Sequence, residues 1–169
     1  NKSRHSVDKH RFLLSWVKPV ASDFILECGS SSGKTSIDFA SKSACHCLGV
    51  DFDPEAVAIS SSLRDEYFPE LKDLCLFECG DLATMPLGRQ INKVLMPDFT
   101  EHIPDRVFAS ILENIKRQVN GAKLYIYTPL RSHIFEILKH HNFILKNPPG
   151  HINVKTSAEL IAFLAEHGW

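Results

Sequence analysis

The stretch Phe24-Ile25-Leu26-Glu27-Cys28-Gly29-Ser30-Ser31-Ser32-Gly33-Lys34-Thr35-Ser36 decides the reading of this chain. An apolar strand runs into small residues and then into a helix. Main-chain N–H groups and a helix N-terminus therefore come to the carboxyl edge of a sheet, where open α/β sheets bind ligands. Gly29 and Gly33 permit a tight turn and a close approach of a ligand to the backbone. Working outward, short apolar runs recur at Cys45 to Val50, Leu74 to Phe77, Lys93 to Met96 and Lys123 to Tyr127, with helical stretches between them. Five strands alternating with helices predict a parallel α/β sheet.

The helices carry physical start and stop signals. Asp53-Pro54-Glu55 offers a side-chain acceptor at the N-cap and a proline at the first helical position, where its missing N–H costs nothing. After Pro104-Asp105, residues Val107, Phe108, Ile111, Leu112, Ile115 and Val119 share one helical face, and Asn120-Gly121 ends it. Thr156-Ser157-Ala158-Glu159 has the spacing of a capping box ahead of Leu160, Ile161, Phe163 and Leu164. His10 to Val17 reads as a further helix outside the sheet, and His140-His141 as a helix end. No repeat or Gly/Ser linker divides the chain, which predicts one domain over residues 1–169. Within it we expect an N-terminal helical segment (1–22), a ligand-binding core (23–129) and a loop and helix (130–169).

With 169 residues, 44% apolar, 23% charged and a net charge of −1, the chain is long enough to bury a core. The charge balance lacks the basic field that holds nucleic acid nonspecifically. No apolar window is long enough for a membrane span, and the polar start predicts no secretory signal. Five cysteines, an odd number, lie within apolar runs and predict buried free thiols in a reducing cytoplasm. Cys45-His46-Cys47 and the pair Cys75 and Cys79 do not match paired metal-ligand spacing, so no metal is expected.

Asp51 ends the second strand, at the distance beyond Gly29 where an acid accepts hydrogen bonds from ribose hydroxyls. Loop and acid together imply a nucleoside-containing ligand. A P-loop needs four residues between its glycines and Gly29 to Gly33 has three, so a nucleotide hydrolase is a lesser alternative. The dinucleotide fingerprint GxGxxG is also absent.

The order of these features resembles the class I S-adenosylmethionine-dependent methyltransferase family. Its acid-and-glycine motif is matched by Glu27-Cys28-Gly29-Ser30-Ser31-Ser32-Gly33, with Ser31 in place of the middle glycine. Its second acid is matched by Gly49-Val50-Asp51-Phe52-Asp53-Pro54, and its third motif by Cys79-Gly80-Asp81-Leu82. Asp98-Phe99-Thr100-Glu101-His102-Ile103-Pro104-Asp105 is similar to the D-x-x-E-H-x-x-D stretch of many small-molecule methyltransferases. Gly121 to Pro129 looks like that family's fifth strand.

The resemblance implies a Rossmann-like, doubly wound, mainly parallel sheet with helices on both faces. It implies S-adenosyl-L-methionine as cofactor and a small-molecule methyl acceptor as partner. Gly29, Ser31 and Gly33 would let the backbone approach the methionine portion, with Glu27 organising the loop or the ligand's amino group. Asp51 would hold the ribose and Phe52 would pack on the adenine. Asp81 would accept from the adenine amino group beside Leu82, and Asp98 would lie near the transferring methyl. The family core adds two antiparallel strands after the region resembling Thr156 to Trp169, so the chain is expected to be C-terminally short, with an unpaired edge at the fifth strand.

Methyl transfer from a sulfonium is an in-line displacement that gains from proximity, orientation and desolvation without an obligatory protein nucleophile. A hydroxyl acceptor still gains from a base. His102, just beyond the fourth strand, is the candidate because imidazole titrates near neutrality. His151, in the turn-rich Pro148-Pro149-Gly150-His151, reads first as a solvated loop histidine and second as part of a cover over the acceptor pocket. The expected activity is methyl transfer to a small molecule at oxygen, with a catalytically silent cofactor- or partner-binding domain as the alternative.

Overall fold

A computed structural model describes residues 4–88, 90–130 and 151–169, with side chains from Lys9 onward. The paired histidines at 140 and 141 lie outside the described residues. Five strands form one sheet in the order β3-β2-β1-β4-β5: β1 Phe24–Cys28, β2 His46–Asp51, β3 Cys75–Cys79, β4 Lys93–Pro97 and β5 Lys123–Tyr127. Every pairing is parallel, with Ile25 opposite both Cys47 and Lys93. The central strands β1, β2 and β4 are buried on both faces, which is why they read as continuous apolar runs rather than alternating ones.

The helices are α1 Arg4–Val17, α2 Lys34–Ser43, α3 Pro54–Tyr67, α4 Asp105–Gln118 and α5 Ser157–Glu166. Successive strand residues point to opposite faces and split the core in two. Ile25, Cys47 and Leu95 pack with Leu13 and Val17 of α1 and with Ile37, Phe39 and Ala40 of α2. Leu26, Cys28, Leu48, Val50, Val94 and Met96 pack with Phe108, Ile111, Leu112 and Ile115 of α4, and Leu160, Phe163 and Leu164 of α5 lie against that cluster. The arrangement is the Rossmann-like doubly wound sheet that the sequence implied.

The expected caps are present. Asp53 Oδ1 accepts from the Glu55 N–H at 2.9 Å with Pro54 next to it, and Thr156 and Glu159 exchange the two bonds of a capping box. Several boundaries differ from expectation. β2 and β3 each begin one residue later than the apolar runs that announced them, and α1 starts well before His10. Four cysteines are buried and free as expected, whereas Cys79, at the carboxyl end of β3, is exposed. Among the described residues, β5 pairs only with β4, and α1 covers part of its face through Trp16 on Tyr125 and Phe12 on Tyr127. No helix among them is long and apolar enough to cross a membrane.

Candidate functional site

In the order β3-β2-β1-β4-β5 the chain reverses direction of progress between β1 and β4, and the crevice beyond the carboxyl ends of those strands is the expected ligand site. A cavity of about 810 Å³ lies there, within the ~300–1,000 Å³ typical of ligand clefts. The loops after β1, β2, β3 and β4 line it, and Lys9 and His10 of α1 form another part of its wall.

The loop after β1 owes its shape to three residues with positive φ, Gly29, Ser31 and Gly33. Gly29 has φ +69°, and a Cβ there would stand 2.5 Å from the Phe99 ring. Ser31 has φ +47°, a left-handed conformation in a residue that bears a side chain. That conformation ordinarily disfavours residues other than Gly, Asn and Asp. Here the Ser31 N–H is engaged: it donates to Asp51 Oδ2 at 2.8 Å. Asp51 Oδ1 accepts from the Asp53 N–H at 3.1 Å, so both oxygens of this carboxylate are oriented by main chain. Next to it Phe52 is 82% exposed, a large apolar ring at the lip of the cavity.

Glu27 is buried beneath the loop, and its Oε2 accepts from both the main chain and the hydroxyl of Ser36, at 3.0 and 2.5 Å. Burial raises its carboxyl to about 7, against the opposing pull of hydrogen bonds from Ser36 and Thr35. Of the two tasks expected of Glu27, loop organisation is the one these bonds perform. Thr35 and Ser36 are thereby committed to a carboxylate of their own chain, which separates the segment from a phosphate-wrapping loop.

Asp81 follows β3 in a turn where its Oδ1 accepts from the Ala83 N–H, with Leu82 buried beside it. Asn114 of α4 braces that turn from below, donating from Nδ2 to the carbonyls of Leu82 and Met85 at 2.9 and 3.0 Å. Asp98 follows β4 with φ +51° and forms an ion pair with Lys9 across the cavity. His102 closes a short 3₁₀ turn, Thr100–His102, and lines the same cavity.

Nine of the ten residues expected at the site, namely Glu27, Gly29, Ser31, Asp51, Phe52, Asp81, Leu82, Asp98 and His102, line this one cavity. Gly33 does not. It is buried at the N-terminus of α2 with φ +71°, and a Cβ there would meet the Phe77 ring at 2.5 Å, so its smallness serves packing. Sequence reasoning did not include Ser30, whose buried hydroxyl lies on the cavity with no hydrogen-bond partner among the described residues, or Lys9 and His10, which no loop motif announces.

Sequence reasoning also assigned no role to Glu101. It is fully buried, its Oε2 accepts from the Thr128 hydroxyl at 3.0 Å, and burial raises its carboxyl above the usual range. Its main-chain oxygen accepts from the N–H groups of Ile152 and Asn153, which fastens the segment beginning at His151 beside the 3₁₀ turn. Asn153 adds bonds to the Ile103 carbonyl and to Asp105. His151 is consequently half-buried, not a solvated loop residue, and its ring meets that of His102 edge-on with centroids 5.0 Å apart.

Comparison with known proteins follows the same lines. Residues 25–121 match the family described as "Methyltransferase domain". No curated protein sequence matches the chain. Among solved structures, magnesium protoporphyrin IX methyltransferase (ChlM) from Synechocystis PCC 6803, crystallised with bound SAH, is 17% identical with a TM-score of 0.74, the match covering 97% of this chain and 72% of that one. The YcgJ protein of Bacillus subtilis is 16% identical with a TM-score of 0.73, over 95% of this chain and 68% of its own. The [4+2]-cyclase SpnF is 15% identical with a TM-score of 0.72, over 96% of this chain and 57% of its own. At these identities the likenesses establish the fold.

Proposed function

Because the chain belongs to the methyltransferase-domain family that its residues 25–121 match, we propose that it binds S-adenosyl-L-methionine in the cavity and transfers the methyl group to a small-molecule acceptor, at oxygen. The observation that carries this reading is the Asp51 carboxylate. Both of its oxygens are held by main-chain N–H groups at the cavity wall beside the exposed Phe52 ring, and each keeps acceptor capacity toward the cavity. Such a carboxylate suits a pair of ribose hydroxyls, and such a ring suits the face of an adenine.

The remaining residues fit the same group. The buried Ser30 hydroxyl has no hydrogen-bond partner among the described residues and lies on the cavity wall, where a polar ligand can meet it. Gly29 and Ser31 carry the main chain along the cavity wall where a methionine portion would lie, over Glu27, which braces the loop through Ser36. Asp81 supplies an acceptor for an adenine amino group, with Leu82 against the ring. When bound, S-adenosylmethionine supplies a methyl group on a positively charged sulfur. Asp98, on the far side of β1 from Asp51, lies toward that end, and Lys9 holds its carboxylate in position. His102 is the side chain suited to take a proton from an acceptor hydroxyl.

Calorimetric titration of the folded chain with S-adenosylhomocysteine, with MgATP and NAD as controls, tests the cofactor. One site for S-adenosylhomocysteine alone is expected, and its absence from a folded chain would overturn the reading. Formation of S-adenosylhomocysteine with hydroxylated small molecules then tests turnover. A tight site with no product from any acceptor class would favour a catalytically silent cofactor- or partner-binding domain.

A further inference from the structure

Glu101, His102 and His151 each bring one ligand-type atom, a carboxylate oxygen or a ring nitrogen, to within 4.8 Å of the other two. Nothing in the cofactor site requires this meeting. Glu101 and His151 do not line the cavity, and they are fifty residues apart in sequence. What joins them is built: the Glu101 carbonyl takes the N–H groups of both Ile152 and Asn153, and Asn153 is tied in turn to Ile103 and Asp105. His151 Nδ1 is buried there and has no hydrogen-bond partner among the described residues. Buried polar atoms are nearly always met by something, so an unmet nitrogen on a ring that lies beside a carboxylate and a second imidazole marks a place for an electron-pair acceptor.

We propose that Glu101, His102 and His151 form a binding site for a divalent first-row transition-metal cation. Two imidazoles and one carboxylate are a donor set for Zn²⁺, Fe²⁺, Co²⁺ or Ni²⁺, whereas Mg²⁺ and Ca²⁺ favour oxygen donors. Bonds of roughly 2.0–2.2 Å to a common ion need the three ligand atoms closer together than 4.8 Å, a contraction within reach of side-chain rotation. Three protein ligands leave at least one coordination position open, the pattern of a working rather than a purely structural site. Because His102 also lines the cavity, the ion would border it, and a cation there can orient an acceptor oxygen and favour its deprotonated form. His102 then holds the ion in place of taking the proton, which the hydroxyl acidified by the cation gives up to solvent water. The acceptor role rests on the methyl-transfer reading above; the ligand set does not.

The test is titration of the tag-free full chain, stripped with chelator, with Co²⁺ and Zn²⁺, followed by calorimetry and by the visible d–d spectrum of Co²⁺. S-adenosylhomocysteine binding is measured on the same samples as a check of fold. We expect one equivalent bound, no sulfur-to-cobalt charge-transfer band, no competition from excess Mg²⁺, and affinity weakened by roughly 10–100-fold or more in His151→Ala. Glu101→Gln should act in the same direction. Since Glu101 is buried, His151→Ala is the deciding variant. Absence of binding to a chain that takes up S-adenosylhomocysteine, affinity unchanged in His151→Ala, or a thiolate spectrum would overturn the site. Metal binding without S-adenosylhomocysteine binding would leave the site standing and remove the function proposed above.

Discussion

The N–H of Ser31 reaches across from the loop after β1 to Oδ2 of Asp51 at the end of β2, at 2.8 Å. The residue that occupies a glycine-like conformation and the acid that faces the cavity are therefore one unit. Removing either loosens both.

Replacing Asp51 tests that unit. Asp51→Ala should weaken S-adenosylhomocysteine binding by about 1–3 kcal/mol, the scale for hydrogen bonds to a charged group. Asp51→Asn keeps an acceptor for one of the two main-chain donors and should lose less. Calorimetry on both variants, with thermal melts as control, checks the order. Equal affinities for wild type and Asp51→Ala would take the residue out of the ribose role.

Stability should depend on pH through Glu27. Its folded carboxyl is raised by burial from the ordinary 4.5 to about 7, so between those values the native state binds more protons than the unfolded chain. Stability from this group is fully present below about pH 4.5 and declines as pH rises toward 7. Buried Glu101 acts in the same direction, so the useful quantity is a difference. In melts across that window, the pH slope of Glu27→Gln should be shallower than that of wild type. Identical slopes would contradict the burial argument.

Gly29→Ala should destabilise by roughly 1–3 kcal/mol, because its Cβ would enter the Phe99 ring and the φ of +69° suits glycine. Adding Phe99→Leu should recover part of the loss and leave the backbone share. Urea midpoints for the single and double variants separate the two, provided the m-values agree.

Asn114 donates to two carbonyls of the turn that carries Asp81. Asn114→Asp would set a carboxylate against both carbonyls, and we expect a loss of about 1–3 kcal/mol in stability together with weaker S-adenosylhomocysteine binding. Full cofactor affinity in a destabilised variant would show that the turn keeps its shape without the amide.

His102→Ala should lower turnover with a hydroxylated acceptor by roughly 10²–10⁴-fold while leaving S-adenosylhomocysteine affinity nearly unchanged. Steady-state kinetics beside calorimetry separates the two effects. Unaltered turnover would return His102 to a structural position at the end of its 3₁₀ turn.

The parts of this molecule that were legible in the sequence are those whose chemistry is local. Asp53 caps α3 and Thr156 caps α5 through neighbours in sequence, and Asp51 ends its strand where the apolar run stops. Gly33 packs on Phe77 and does not line the cavity, a difference the motif does not carry because a glycine that relieves a ligand and one that relieves a ring look alike in sequence. Lys9, His10 and the Glu101–His151 meeting were invisible for another reason. Each depends on segments brought together by tertiary packing, and only the adjacent Glu101-His102 pair left a local trace.

The pairing of β1 with β4 has a kinetic consequence. It sets Ile25 beside Lys93, so the crevice comes into being only when the chain closes a long loop, the slow kind of event in folding. A ligand that needs the finished crevice has nothing to hold in a partly assembled chain. Its stabilising effect should therefore fall on the rate at which the native protein opens, leaving the rate at which the chain first folds nearly untouched.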